Sequence, residues 1–398
     1  MSYSLVSLFT GCGGMDLGFK QAGFDVLWAN DFFYDATETY KLNLGNHIHL
    51  GDITKVPSSQ IPNDFDVLTG GFPCQGFSIA NSKRTMSDQR NFLYKELLRV
   101  IEDKKPKVFV AENVKGLLSM EDGLVLEMIL DDFKKLGYTV DYRVLTASDY
   151  GVPQNRERVI IMGNRIGKEN LFPEPTHIDS KYQTLFDFDR KPKISVKEAI
   201  SFLSDVRVRP MSFNLNGVEI HNHEARMNVS DVFMKRKYEI DQKEIADYLK
   251  QWRVKAGISV KEIDEKLGYL HTAPHWFRKD VYGSVPSAQD WIELKTLLNF
   301  DSTYDEQILS FEEKKIEFDQ MLRISNWETP SDTITASGPE IHPNKERRLS
   351  VRECAILQSF PMDFKFTGSI SNMYKQIGNA VPPLLAYHIG MRVKEMLV

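Results

Sequence analysis

Cys74 is the residue of this chain best placed for covalent chemistry. It lies in Asp66-Val67-Leu68-Thr69-Gly70-Gly71-Phe72-Pro73-Cys74-Gln75-Gly76-Phe77-Ser78, where an apolar run ends in two glycines and a Pro-Cys pair. A residue just past the carboxyl end of a parallel strand faces the ligand side of an α/β sheet. Thiolates are strong nucleophiles, and a helix N-terminus lowers a thiol pKa. A lone cysteine is usually a buried apolar filler; two glycines and a proline before it argue for exposure instead. Two further segments hold groups that could serve such a nucleophile. Glu112-Asn113-Val114 follows the apolar run Val108–Ala111 and carries a carboxyl. Gln154-Asn155-Arg156-Glu157-Arg158 precedes the run Val159–Met162 and carries two guanidinium groups. A carboxyl kept neutral near pH 7 needs burial or a tuned environment. On a surface, the same residues would be a helix cap and ion pairs of little worth.

A second cluster suits a nucleoside. Leu8-Phe9-Thr10-Gly11-Cys12-Gly13-Gly14-Met15-Asp16-Leu17-Gly18 follows the first strand candidate and opens a helix. Glycines there let the backbone approach a ligand closely. Asp31 stands about twenty positions on, the spacing at which an acid binds ribose hydroxyls. Phe32 follows it, and Asp52 and Ile53 follow Gly51, where Asp52 could reach an adenine amine. The glycine spacing is not a clean G-x-G-x-x-G, which disfavours a nicotinamide dinucleotide.

Taken together, Pro73-Cys74-Gln75, Glu112-Asn113-Val114 and Gln154-Asn155-Arg156-Glu157-Arg158 resemble the cytosine-5 DNA methyltransferase family. The turn from Phe9 to Gly14 looks like that family's cofactor motif. Arg348-Leu349-Ser350-Val351-Arg352-Glu353 with Gln358-Ser359-Phe360-Pro361 resembles its late motif, and Gln376-Ile377-Gly378-Asn379-Ala380-Val381-Pro382 its terminal one. The segments occur in family order and cover about residues 4–165 and 330–390. One departure is Asp31, where the family more often has Glu. The resemblance implies a Rossmann-like fold dependent on S-adenosylmethionine. Phe9, Gly11, Gly13, Gly14, Asp31, Phe32, Asp52, Ile53, Gly71, Pro73, Leu93, Asn379 and Val381 would hold that cofactor. It further implies attack of Cys74 on C6 of a flipped cytosine, with Glu112 at N3, Arg158 at O2 and Arg156 in support. The segment from Gln75 to Arg90 would close over double-stranded DNA through Gln75, Ser78, Arg84 and Arg90. A restriction endonuclease acting on the same site is the implied partner.

The elements that must position these groups alternate. Ser4–Phe9, Phe24–Ala29, Asp66–Thr69, Val108–Ala111 and Val159–Met162 read as buried strands. Asp31–Asn43, Phe92–Glu102 and Leu124–Leu136 read as helices between them. That order predicts a mostly parallel α/β sheet over residues 1–165. Residues 166–370 are expected to form an inserted target-recognition domain, with Asp332 to Pro361 in its scaffold, and residues 371–398 to return to the catalytic domain. Within the insert, Trp252–Phe277 reads as helix, Gly257 turn, capped helix, Gly268 turn, a pattern resembling a helix-turn-helix. Ser259-Val260-Lys261-Glu262 has capping-box spacing, as does Ser287-Ala288-Gln289-Asp290. Lys261, Lys266, Arg278 and Lys279 are its candidate DNA contacts.

Composition narrows the class. A 398-residue chain that is 42% hydrophobic can bury a large core and a smaller one. No apolar run is long enough for a bilayer, and the N-terminus lacks a charged n-region, so a cytoplasmic enzyme is expected. Three cysteines, Cys12, Cys74 and Cys354, suit a reducing compartment rather than a disulfide framework. A net charge of −5 leaves room for a basic cleft on an acidic protein. No metal site is expected: His221-Asn222-His223 is a tripeptide rather than a nuclease constellation, and His271 and His275 lack companion ligands. Trp276 and Trp291 read as core. Three rivals share parts of the pattern. An RNA cytosine-5 methyltransferase would share the catalytic segments, but the long insert favours reading duplex DNA. A non-catalytic DNA-binding relative would not need Cys74, Glu112 and Arg158. A nicotinamide oxidoreductase would leave those segments unexplained.

Overall fold

The computed structural model describes residues 2–73, 93–225 except 183, 185, 186 and 188, 242–268, 278–280, 283–285, 288–306, and 323–398 except 337, 345 and 346. Its centre is a seven-stranded sheet made of β1 (Tyr3–Leu8), β2 (Phe24–Asp31), β3 (Ile48–Leu50), β4 (Val67–Gly70), β5 (Val108–Val114), β6 (Thr139–Thr146) and β7 (Glu157–Asn164). The spatial order is β3-β2-β1-β4-β5-β7-β6. β1 through β5 pair in parallel, and β7 runs antiparallel to both β5 and β6. The order reverses between β1 and β4, which in an open α/β sheet opens a crevice for ligands beyond the strands' carboxyl ends.

The central strands are buried on both faces because their runs are mostly apolar, with side chains alternating between two cores. Val6, Leu8, Leu68, Phe109, Ala111, Val159 and Ile161 point to one face. They pack there on Leu97, Val100 and Ile101 of α3 (Tyr94–Lys104) and Ile129 and Phe133 of α4 (Leu124–Lys135). Leu5, Val67, Val108, Val110, Ile160 and Met162 point to the other, with Met15 and Phe19 of α1 (Gly14–Gln21) and with Leu385, Ile389 and Val393 near the C-terminus. α2 (Tyr34–Asn43) connects β2 to β3.

Later segments close the unit. α5 (Val196–Ile200) begins with a capping box, Ser195 with Glu198. In the second compact unit, α6 (Gln242–Ala256), α7 (Val260–Leu267) and α8 (Ala288–Leu298) bury Ile245, Leu249, Ile263, Trp291, Leu294 and Leu298 together. Gly257 at φ 69° ends α6, Ser259 Oγ caps α7, and Gly268 at φ 76° ends it. Trp291 is core, and its indole donates to Asp305. The chain then returns to the first unit as α9 (Val351–Leu357), α10 (Ile370–Asn379) and α11 (Pro383–Leu397). α11 lies so close to α1 that a Cβ on Gly18 would fall 2.3 Å from the Pro383 carbonyl.

The two units divide at other places than the expected 166–370 insert. The second comprises residues 226–323 and 344–348; residues 1–225, 324–343 and 349–398 form the first. The stretch Asp332 to Pro361 thus falls mostly with the sheet. Its buried polar side chains explain this: Arg352 donates to the carbonyls of His221, Pro361 and Phe364, and Gln358 to those of Ile377 and Ala380. Strand ends also differ from expectation. β5 and β7 run on to include Glu112 and Arg158 rather than stopping beside them, and β6 had no counterpart in the reading of the sequence.

Candidate active site

Glu112 and Arg158 meet because β5 and β7 pair antiparallel. Glu112 stands opposite Ile160, so Arg158, two residues along, projects from the same face. Arg158 Nε lies 2.6 Å from Glu112 Oε1, and both residues are 8% exposed. Burial lowers the Arg158 pKa, and the Glu112 carboxylate opposes that shift. Lys115 and Glu157 form an exposed ion pair at the same strand ends.

The same strand end fixes the segment that leads to Cys74. Asn113 Nδ2 donates to the Phe72 carbonyl at 3.3 Å, and its Oδ1 accepts from Val114 N at 2.8 Å. A Cβ on Gly71 would fall 3.1 Å from Glu112 Oε2, so glycine lets the β4 turn lie against that carboxyl. Gly71, Phe72 and Pro73 therefore end beside the Glu112–Arg158 pair. Cys74, Gln75, Ser78, Arg84 and Arg90 lie outside the described residues.

Arg156 has a different task. It is fully buried, and its guanidinium donates to the carbonyls of Ile334 (2.9 Å) and Gly378 (2.7 Å). Burial pushes its pKa well down, with Arg158 adding to the effect. Gln154 works beside it: its Oε1 accepts from Ile334 N, and its Nε2 meets the Gln358 amide oxygen. These groups lock the strand start to the C-terminal segments.

At the switch point, the β1 turn faces Asp31 at the end of β2. Phe9 and Gly11 both adopt left-handed backbone, at φ 56° and 58°. Asp31 is buried; its Oδ2 accepts from Gly11 N and its Oδ1 from Phe33 N, each at 2.8 Å. Burial raises its pKa while those amides pull it back. Phe32 beside it is 71% exposed, a large apolar ring left in solvent at the mouth of the crevice. A Cβ on Gly11 would meet nothing within 4 Å, so this face of the turn is open. Gly13 and Gly14 serve packing: a Cβ there would strike Leu44 and the Val381 carbonyl, both at 2.4 Å. Val381 is thereby held at the turn, whereas Asn379 is exposed. Asp52 accepts from Thr54 N and Oγ1, capping the short turn that contains buried Ile53. Leu93 is half-buried at the start of α3.

The sheet thus presents, beyond its strand ends, a turn open at Gly11 beside buried Asp31, and a buried carboxyl–guanidinium pair on β5 and β7. The chain matches the family described as C-5 cytosine-specific DNA methylase over residues 3–395. It belongs to that family. It is accordingly a DNA (cytosine-5-)-methyltransferase. Among proteins similar to it is the Type II methyltransferase M.NgoFVII of Neisseria gonorrhoeae, 33% identical over 95% of this chain and 83% of that one. M.AgeI of Thalassovita gelatinovora is 32% identical over 98% of both. Among solved structures, a prophage-encoded E. coli protein described as a DNA modification methyltransferase aligns with a TM-score of 0.61 at 23% identity, over 100% of this chain and 99% of that one. This likeness supports the Rossmann-like fold.

No helix among the described residues is long and apolar enough to cross a membrane, and no group of three or more potential metal ligands occurs among them. His223 is buried, with its ring nitrogens near Ser350 Oγ and the Val206 carbonyl. His271, His275 and Trp276 lie outside the described residues. Lys261 and Lys266 sit on the exposed side of α7 in ion pairs with Glu265 and Glu262. Arg278 and Lys279 belong to a short ribbon, Arg278–Asp280 paired with Gly283–Val285.

The reading of the sequence missed Asp16, Tyr40, Gln154 and Gln358 as buried polar supports. Polar side chains in helices and turns look the same whether they face water or a carbonyl, so no local signal marks them.

Proposed function

We propose that the protein methylates C5 of a cytosine flipped out of duplex DNA, through a transient bond from Cys74 to C6. The observation that carries this reading is the Glu112–Arg158 pair, set against the Gly71–Pro73 segment that runs directly into Cys74. A base inside a helix is out of reach of such a recessed pair, so it must leave the stack. Cytosine C5 is a poor nucleophile. Addition of the Cys74 thiolate to C6 places an electron pair at C5 and charge on the ring at N3. Glu112 meets that charge by sharing a proton at N3, and Arg158 holds O2. Loss of the C5 proton and departure of the thiolate restore the ring. S-adenosylmethionine, when bound, supplies the electrophilic methyl group.

The β1–β4 crevice fits that cofactor. Asp31 suits the ribose hydroxyls, the exposed Phe32 ring suits the adenine face, and the open side of Gly11 admits the backbone approach. Asp52 and Ile53 flank the adenine, with Phe9, Gly71, Pro73 and Val381 around the remainder. Sequence choice belongs to the helical unit of residues 226–323. The similar proteins named Type II methyltransferases support a role as the modification half of a restriction-modification pair.

DNA carrying 5-fluorocytosine tests the covalent step, because fluorine cannot leave as a proton. Wild type is expected to form a denaturant-resistant adduct with it, and Cys74→Ser to form none and to lose methyl transfer while still binding DNA and cofactor. Near-normal turnover by Cys74→Ser, or an active wild type without the adduct, would remove the mechanism.

A further inference from the structure

Beneath the β1 turn lies a group of side chains that the reaction does not use. Asp16, in the first turn of α1, is completely buried. Its Oδ1 accepts from Ser7 Oγ at 2.6 Å, and its Oδ2 from Thr10 Oγ1 at 2.7 Å and from the Tyr40 hydroxyl at 3.0 Å. Tyr40 also lies 2.9 Å from His47 Nε2. Because Tyr40 gives its proton to Asp16, the proton of that second bond comes from His47 Nε2. Hydrogen bonds therefore run in one sense from half-buried His47 through Tyr40 to the carboxyl. Burial raises the Asp16 pKa, and the three hydroxyls pull it back.

Thr10 is the residue between the two left-handed positions, Phe9 and Gly11. A phenylalanine rarely adopts that backbone without support from its surroundings. The Thr10 main chain is already tied, its N–H to the Asn30 carbonyl and its carbonyl to Gly13 N, each at 3.0 Å. The bond from its side chain to Asp16 is the third tie. Asp31 holds Gly11 N from the crevice side, so the turn is gripped from above by Asp31 and from below by Asp16.

We propose that Asp16 and Thr10 are positioning residues for the cofactor, with Tyr40 as their support: they hold the turn in the shape that leaves the Gly11 face open to a nucleoside. The proposal rests on the S-adenosylmethionine reading above. It concerns affinity for the cofactor rather than the chemical step, since none of these groups reaches the Glu112–Arg158 pair in the hydrogen bonds they make.

The test is calorimetry of S-adenosylmethionine binding to the full chain, beside steady-state kinetics. Thr10→Val deletes the hydroxyl at almost constant size, and Thr10→Ser keeps it. Loss of one buried hydrogen bond predicts about a tenfold rise in Kd and in KM for the cofactor in Thr10→Val. Thr10→Ser should restore most of the affinity, and kcat at saturating cofactor and KM for DNA should stay near wild type in both. Tyr40→Phe should raise Kd in the same direction by a smaller factor, and it keeps the question open to measurement if Thr10→Val fails to fold. Wild-type affinity in Thr10→Val, equal weakness in Thr10→Ser, or a fall in kcat matching the rise in KM overturns the proposal. A wild-type chain that binds no S-adenosylmethionine overturns the cofactor reading itself, a distinct result.

Discussion

The site-bearing strands of the sheet unit and the α6–α8 core of the other unit use charge in opposite ways. In the sheet unit, Glu112, Arg156, Arg158, Arg352 and Glu353 are all buried, and the arginines spend their donors on carbonyls or on a carboxylate. In the core formed by α6–α8 the buried residues are apolar or aromatic, while Lys261, Glu262, Glu265 and Lys266 pair on the outside of α7; the buried Arg347 and Arg348 belong to that unit's return segment, outside this core. A buried charge fixes a position because moving it strands a polar group at high cost. An exposed pair fixes little and gives up its partner easily. The first arrangement suits a site where a base must meet several groups at once. The second suits a surface that exchanges its counterions for phosphates.

Arg156 offers the strongest test of that contrast. Arg156→Met keeps an unbranched apolar stem but removes the guanidinium and strands the carbonyls of Ile334 and Gly378, at about 1–3 kcal/mol each. The thermal transition of the sheet unit should fall markedly, with cofactor and DNA affinity per folded molecule little changed. A variant as stable as wild type would show that the buried guanidinium contributes no net stability here, as can happen when apolar groups replace buried charge. In that event Arg156 would be kept for the site rather than for the fold.

Asp31 stands between the extremes, buried yet at the mouth of the crevice. Asp31→Ala removes the acceptor for Gly11 N and Phe33 N together with the proposed ribose contact. Binding of S-adenosylmethionine should weaken by about 1–3 kcal/mol, the cost of unpaired partners. Unchanged affinity would place the ribose elsewhere and leave Asp31 as a brace for the turn.

The segments proposed to touch substrate stand out in the sequence because each adjoins an apolar strand. The run Val108–Ala111 followed by Glu112 marked a polar group at the ligand edge, and the turn from Phe9 to Gly14 marked the crevice. Within that turn the glycines proved unequal. Only Gly11 faces open space, while Gly13 and Gly14 are glycines because Leu44 and Val381 lie against them. Packing partners on other elements leave no trace in a local pattern, nor do the Ile334 and Gly378 carbonyls that Arg156 meets. β6 escaped notice because Thr139–Thr146 exposes Asp141, Tyr142 and Arg143 at the sheet's edge and lacks a buried run. The packing of residues 349–398 with the sheet has a related basis: Arg352 and Gln358 declare their allegiance only through the carbonyls they meet.

Lys261 and Lys266 carry the smallest expected effect and sharpen the comparison from the other side. Each is exposed and, among the described residues, paired with an acid four residues away, at 3.8 and 3.4 Å. Giving up such a pair costs well under about 1 kcal/mol, so either lysine can turn to a phosphate. If α7 lies along DNA, Lys261→Gln should weaken binding to every sequence alike and reduce the salt slope by about one counterion. Site preference and cofactor affinity should not move. α7 also carries Glu262, Asp264 and Glu265, however, and a net acidic helix is poorly matched to a polyanion. The last turns of α6 present the alternative: Lys250, Arg253 and Lys255 with no acid among them. Should Lys261→Gln and Lys266→Gln leave the salt slope intact while Lys250→Gln flattens it, the phosphate contacts belong to α6, and α7 is merely its packed neighbour.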